Sequence, residues 1–120
     1  AEDIGMGDLT TLLTVPEDAR AGANLRVKAD GVVCGLELAA RAFTLVDPAT
    51  RVRLSARDGD RVSVGQVVGR IDGSARSLLT AERVALNVLQ RLSGTATLAR
   101  AFVDRVEGTR SRIVDTRKTT

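Results

Sequence analysis

The sequence predicts an α+β domain: a small, mostly antiparallel, β-sandwich-like sheet packed with helices. Three observations carry this. Apolar and polar residues alternate in short runs such as Leu25-Arg26-Val27-Lys28, the period of a half-buried strand. Leu36, Ala39, Ala40, Phe43 and Val46 recur at helical spacing, as do the leucines, valines and alanines between Leu78 and Leu92. The runs follow one another as strands, helix, strands, two helices and strand, an order that segregates helices from a sheet of local pairings.

Taken along the chain, residues 1–22 read as a polar lead-in, with turn chemistry in GMGDLTT and a break at Val15-Pro16. Residues 24–30 follow as a strand, placing Leu25, Val27 and Ala29 on one face and Arg26, Lys28 and Asp30 on the other. Asp30-Gly31 ends it, and Val32-Val33-Cys34 forms a second short strand. A helix over Leu36–Val46 stops at Asp47-Pro48. Strands return at Val52–Leu54, around Val62 and Val64, and over Val67–Ile71, separated by turns at Arg57–Asp60 and Gly65-Gln66. Ser74 is placed to cap a helix that runs to about Leu92. Ser93-Gly94 is expected to interrupt it, a further helix covers Thr95–Val106, and Glu107-Gly108 stops that one. Ser111–Thr116 reads as a last strand with no obvious partner.

Composition narrows the chemistry. The chain has 120 residues, 43% hydrophobic and 28% charged, which suits one modest folded domain. Lys28 and Lys118 are its only lysines among 18 basic residues, so the net charge of +3 rests on arginine. With only Phe43 and Phe102 as aromatics, base stacking has little support and no nucleic-acid partner is expected. No apolar run is long enough to cross a bilayer, so no membrane partner is expected either. The acidic start AEDIGMGD lacks the order of a secretion signal, and a lone Cys34 fits a reducing cytoplasm. The absence of His and the single Cys remove zinc sites and Ser-His or Cys-His nucleophilic systems from these residues.

The run SARSLLTAERVALNVLQRLSG carries the strongest site signal. Arg76, Thr80, Arg83, Asn87 and Gln90 share one narrow stripe of a helix whose remaining circumference is largely apolar. Such a helix is expected to be buried over most of its surface. Glu82, inside the apolar arc, is then expected to pair with a basic group or cap a backbone donor. A solvated face is the ordinary meaning of a polar stripe. This one carries Arg with Asn, Thr and Gln instead of Glu-Lys pairs, and an Arg fork in a groove suits a carboxylate or phosphate. The terminal DTRKT offers a second cationic cluster: Arg117 as a fork, Lys118 as a point charge, Thr116 and Thr119 as hydroxyls, directly after an apolar run. It is either a plain basic tail or half of a site for a multiply charged anion.

The segments Glu2–Thr11, Leu78–Thr97 and Asp115–Thr120, with GVVCGLELA and GDRVSVGQVV between them, resemble the quinolinate phosphoribosyltransferase family, also called nicotinate-nucleotide pyrophosphorylases (carboxylating). The resemblance runs from end to end but covers only that family's N-terminal domain and the lead into its α/β barrel. It implies an N-terminal sandwich over residues 1–110 and the first barrel strand and turn over 111–120. A helix before Ala1 and the barrel after Thr120 would be missing. The implied reaction joins quinolinate and phosphoribosyl pyrophosphate, with Mg²⁺, into nicotinate mononucleotide, pyrophosphate and CO₂ in NAD biosynthesis. By the motifs, Arg83, Arg117 and Lys118 would bind quinolinate, with Thr116 a further candidate. The Arg83 position would complete the site of a neighbouring subunit, making a homodimer or larger homo-oligomer the working unit. Other basic residues and the Mg²⁺ ligands would lie in the barrel, so the fragment alone is expected to be inactive.

Two rival readings share parts of this pattern. A molybdenum-associated relative of the same fold keeps similar motifs. GDRVSVGQVVGRIDG also resembles the hairpin of biotinyl and lipoyl carrier domains, but a carrier needs a lysine at an exposed tip, and Lys28 lies inside a strand pattern. A purely structural domain with a basic stripe that binds nothing is the third possibility.

Overall fold

The computed structural model describes residues 19–118. Five strands and two helices follow in the order β1 (Arg20–Arg26), β2 (Gly31–Val32), α1 (Leu36–Val46), β3 (Arg51–Leu54), β4 (Arg61–Val62), β5 (Val67–Ser74) and α2 (Ala75–Val106). Among the described residues all pairing is antiparallel: one sheet in the order β1-β5-β3 and a two-stranded sheet β2-β4. The α+β expectation holds.

Strand β5 is the centre of the larger sheet because it pairs on both sides, Ala23 and Val52 both lying opposite Ile71. One face of the sheet turns Leu25, Val52, Leu54 and Ile71 toward the helices, which add Leu36, Ala39, Phe43, Leu78, Ala81 and Ala85 to a single core. Leu36 and Ile71 are only 1% exposed.

Helix α1 matches its expected span. Its start is held by a residue no local pattern could indicate: Asp58 Oδ1 accepts from both Gly35 N and Leu36 N at 3.0 Å. A carboxylate there satisfies orphan donors and meets the positive end of the helix dipole. Ser74 caps α2 as expected, accepting from Ser77 N. The Ser77 hydroxyl in turn donates to Asp47 at the end of α1 (3.1 Å), joining the two helix ends.

Four sequence expectations give way. The first concerns β1, which begins at Arg20, inside the expected lead-in, and stops at Arg26. Residues 1–18 lie outside the described residues. The early start comes from a ladder with β5 that needs no alternation, and a register shift between Leu25 and Arg26 ends it. Lys28 therefore sits beyond the strand, exposed.

Second, no break occurs at Ser93-Gly94: α2 runs unbroken for 32 residues. The Ser93 hydroxyl accepts from Cys34 N (2.9 Å) and donates to Cys34 O (3.1 Å). One turn on, the Thr97 hydroxyl does the same for Val32 N (2.9 Å) and Val32 O (3.3 Å). Four helical residues rise about 6.0 Å and two strand residues about 6.6 Å, so hydroxyls at i and i+4 stand in for a neighbouring strand. The helix can approach this closely because Gly31 and Gly35 have no side chain. A Cβ at Gly31 would lie 2.6 Å from Thr97 Oγ1, and one at Gly35, whose φ is +98°, 2.9 Å from Leu92 Cδ1. Replacing Ser93 with alanine leaves a half-buried N–H and C=O of Cys34 without their partner. Chemical denaturation should show a loss of about 1–3 kcal/mol.

Third, α2 is less buried than its composition suggested. Leu78, Ala81 and Ala85 face the core, but Leu79 is 47% exposed and Glu82 is exposed. Glu82 makes no ion pair among the described residues, because it needs none at a surface. Fourth, residues 111–116 form no strand, and Ile113 and Val114 are exposed. A strand needs a ladder, and none of the described strands pairs with this segment.

Candidate functional site

Around α2, buried Leu78, Ala81 and Ala85 mark one direction. At about 100° per residue, Arg76, Thr80, Arg83, Asn87 and Gln90 point to the opposite side. Of these, Arg76 and Thr80 are half-buried, and Arg83, Asn87 and Gln90 are exposed. The stripe exists as expected, but Arg83 turns toward solvent and not into a groove, while Gln90 at the far end borders the groove between β1 and α2. Arg83 makes no ion pair among the described residues, so its planar fork of donors remains available to an outside acceptor.

The second cluster lies at the far end of the chain. Thr116, Arg117 and Lys118 are exposed, and the Thr116 hydroxyl accepts from Lys118 N at 3.3 Å, closing a small turn with Arg117 at its tip. Thr119 lies outside the described residues. Arg83 and the Thr116–Lys118 cluster are not brought into one cavity.

Two cavities stand out among the described residues, and none of these four residues lines either. A groove of about 1060 Å³ runs between β1 and α2, walled largely by Leu25, Val27, Leu78, Leu86 and Leu89, with Glu82 at its side. It explains the exposed flank of α2: the apolar arc is wide enough to line this groove as well as the core. Its aliphatic wall favours apolar matter over a dianion. The other, of about 380 Å³, lies at the C-terminal end of α2 among Arg100, Asp104, Glu107 and Arg112, where carboxylates offset the cations.

No three His, Cys, Asp or Glu side chains come together among the described residues to hold a metal ion. No described helix is long and apolar enough to cross a membrane. By itself the chain thus presents the two predicted cationic clusters apart from each other, and no closed catalytic pocket among the described residues. The hydroxyl pair Ser93 and Thr97, which anchors the helix carrying Arg83, escaped the sequence reading. Its signal was the i, i+4 spacing of two hydroxyl residues on the face toward the sheet.

The chain is similar to known proteins along its whole length. The sequence model of the family described as "Quinolinate phosphoribosyl transferase, N-terminal domain" matches residues 8–93. Quinolinate phosphoribosyltransferase [decarboxylating] 1b of Nicotiana tabacum is 42% identical over 99% of this chain and 34% of its own length. The chloroplastic nicotinate-nucleotide pyrophosphorylase [carboxylating] of Oryza sativa subsp. japonica is 43% identical over 99% of this chain and 32% of its own. The crystal structure of NadC from Streptococcus pyogenes superimposes with a TM-score of 0.90 at 39% identity, covering 99% of this chain and 44% of that one. The chain thus spans about a third of the length of the curated relatives it matches. With the motifs, the fold and the matched span in agreement, the chain belongs to the quinolinate phosphoribosyl transferase family, as its N-terminal domain.

Proposed function

We propose that this chain is the part of a quinolinate phosphoribosyltransferase that lends Arg83 to a quinolinate site. The reaction joins quinolinate and phosphoribosyl pyrophosphate and releases CO₂ and pyrophosphate, as the names of its relatives suggest. The observation that carries this reading is the state of Arg83: exposed, outside any ion pair among the described residues, and on the side of α2 away from the core. The fold makes no use of its charge, yet a 32-residue helix capped by Ser74 and anchored through Ser93 and Thr97 holds it in place.

The chemistry matches. Quinolinate carries two carboxylates on a pyridine ring. A guanidinium takes one carboxylate by two parallel hydrogen bonds, and a second guanidinium or an ammonium takes the other. Fixed cations around the ring also stabilise the negative charge left as CO₂ departs. Arg117 and Lys118, with the Thr116 hydroxyl, are the second set. They share no cavity with Arg83 among the described residues, which suits the arrangement the family resemblance implies, a site completed between subunits with Arg83 entering from a neighbour. A homo-oligomer, at least a dimer, is then the active unit. Mg²⁺ accompanying phosphoribosyl pyrophosphate takes its ligands from outside the described residues, which do not fit a metal, and none of the quinolinate contacts involves it. The lone Cys34 suits a reducing compartment such as the cytoplasm.

The test is an assay for nicotinate mononucleotide formed from quinolinate and phosphoribosyl pyrophosphate. A polypeptide carrying this chain at the full length of its relatives should form the nucleotide, and the 120-residue chain alone should not. Failure of the longer polypeptide to turn over quinolinate would refute the assignment.

A further inference from the structure

The outer face of the larger sheet has no part in the proposed reaction. By register, Asn24 and Arg53 both lie opposite Arg70, Gly22 and Arg51 both lie opposite Asp72, and Arg20 lies opposite Ser74. These residues share one side of the sheet, and Arg20, Arg51, Arg53 and Arg70 are exposed. Four arginines against one carboxylate leave the face at +3, as much as the whole chain's net charge. The carboxylate is already used: Asp72 pairs with Arg70 at 3.0 Å. Arg20, Arg51 and Arg53 make no ion pair among the described residues, and Arg53 stands directly across from Arg70, a like-charge pairing that disfavours the isolated sheet.

We propose that this face, with the open edge of β3, docks an extended acidic segment of a partner protein. Strand β3 is the outermost strand of its sheet and pairs only with β5 among the described residues. Its other edge can therefore accept one more strand. Alternate residues of a strand lie about 6.6 Å apart on one face. Carboxylates at i and i+2 of an added strand would thus fall beside Arg51 and Arg53 in register. Charge selects among occupants. A second copy brought edge to edge would set arginines against arginines, the usual way an exposed edge is kept from self-pairing. Single-stranded nucleic acid would find nothing to stack on, since Phe43 is buried in the core and Phe102 lies on α2. The acidic strand alone gains from both the edge and the charge.

This inference is independent of the proposed activity and has its own test. A fluorescein-labelled octapeptide alternating Glu and Val is titrated against the full chain and followed by fluorescence anisotropy. Saturable binding is expected at low salt, weakening as salt rises. The Arg51→Glu/Arg53→Glu chain should bind at least tenfold more weakly. Its melting temperature should be about unchanged, because Arg53→Glu places a carboxylate opposite Arg70 while Arg51→Glu places one opposite Asp72. If the reversal lowers the melting temperature, Arg51→Gln/Arg53→Gln replaces it and should show the same loss of binding. The proposal is overturned by absence of saturable binding, by equal binding to the arginine-substituted chain or by equal binding of a labelled control octapeptide alternating Gln and Val. Tighter binding of a labelled twelve-residue thymidine strand would overturn it as well.

Discussion

Quinolinate affinity should fall roughly thirty- to a hundredfold when Arg83 is replaced by alanine in the full-length polypeptide, with no loss of thermal stability. The binding loss is about 2–3 kcal/mol, the scale for truncating one member of a charge-assisted pair that is desolvated when the ligand is bound. The unchanged stability follows from the surroundings of the side chain: it is exposed and outside every ion pair among the described residues, and alanine suits a helix at least as well as arginine. Arg83→Lys separates the fork from the charge. Lysine keeps the positive charge but cannot form two parallel hydrogen bonds, so its affinity should fall between those of wild type and the alanine variant. Isothermal titration with quinolinate, beside a thermal melt, checks all three proteins. A dissociation constant unmoved by Arg83→Ala would leave the stripe as solvated surface and remove Arg83 from the site.

Truncating Ile71 to alanine should be the most damaging single change to the fold. Ile71 is on the central strand, paired on both sides, and its side chain is 1% exposed within the one core cluster. Removing its outer carbons loses their transfer free energy and leaves a cavity that a strand held on two edges cannot collapse to fill, at a cost of about 2–5 kcal/mol. That is a large share of the roughly 5–15 kcal/mol a domain of this kind holds in reserve. Urea denaturation should register it as a fall in the transition midpoint at constant slope. Ile71→Val, which removes one methyl group, should lose only about 0.5–1.5 kcal/mol. Equal losses for the two variants would show that the site relaxes around the missing carbons.

What the sequence determined was local. Helix α1 was legible because five apolar residues recur on one face and Asp47-Pro48 ends the run. The caps at Ser74 and Glu107-Gly108 were legible because an N-cap hydroxyl and a glycine with positive φ act within a few residues of themselves. Arg83, Thr116, Arg117 and Lys118 stood out as candidates by residue type and spacing, and the family resemblance supplied the quinolinate role expected of them.

Tertiary structure decided whatever depended on partners distant in the chain. Asp58 caps a helix that begins 22 residues before it, and β1 takes its length from β5, where Arg20 lies opposite Ser74. The long helix survives Ser93-Gly94 because two hydroxyls find backbone 59 and 65 residues back. The last apolar run, Ile113-Val114, stays irregular for the converse reason: its residues suit a strand, but no described strand pairs with it. Local propensities are worth about tenths of a kcal/mol per residue. A satisfied backbone group or a filled core contact is worth one or more, so where the two disagree the long-range contact sets the outcome.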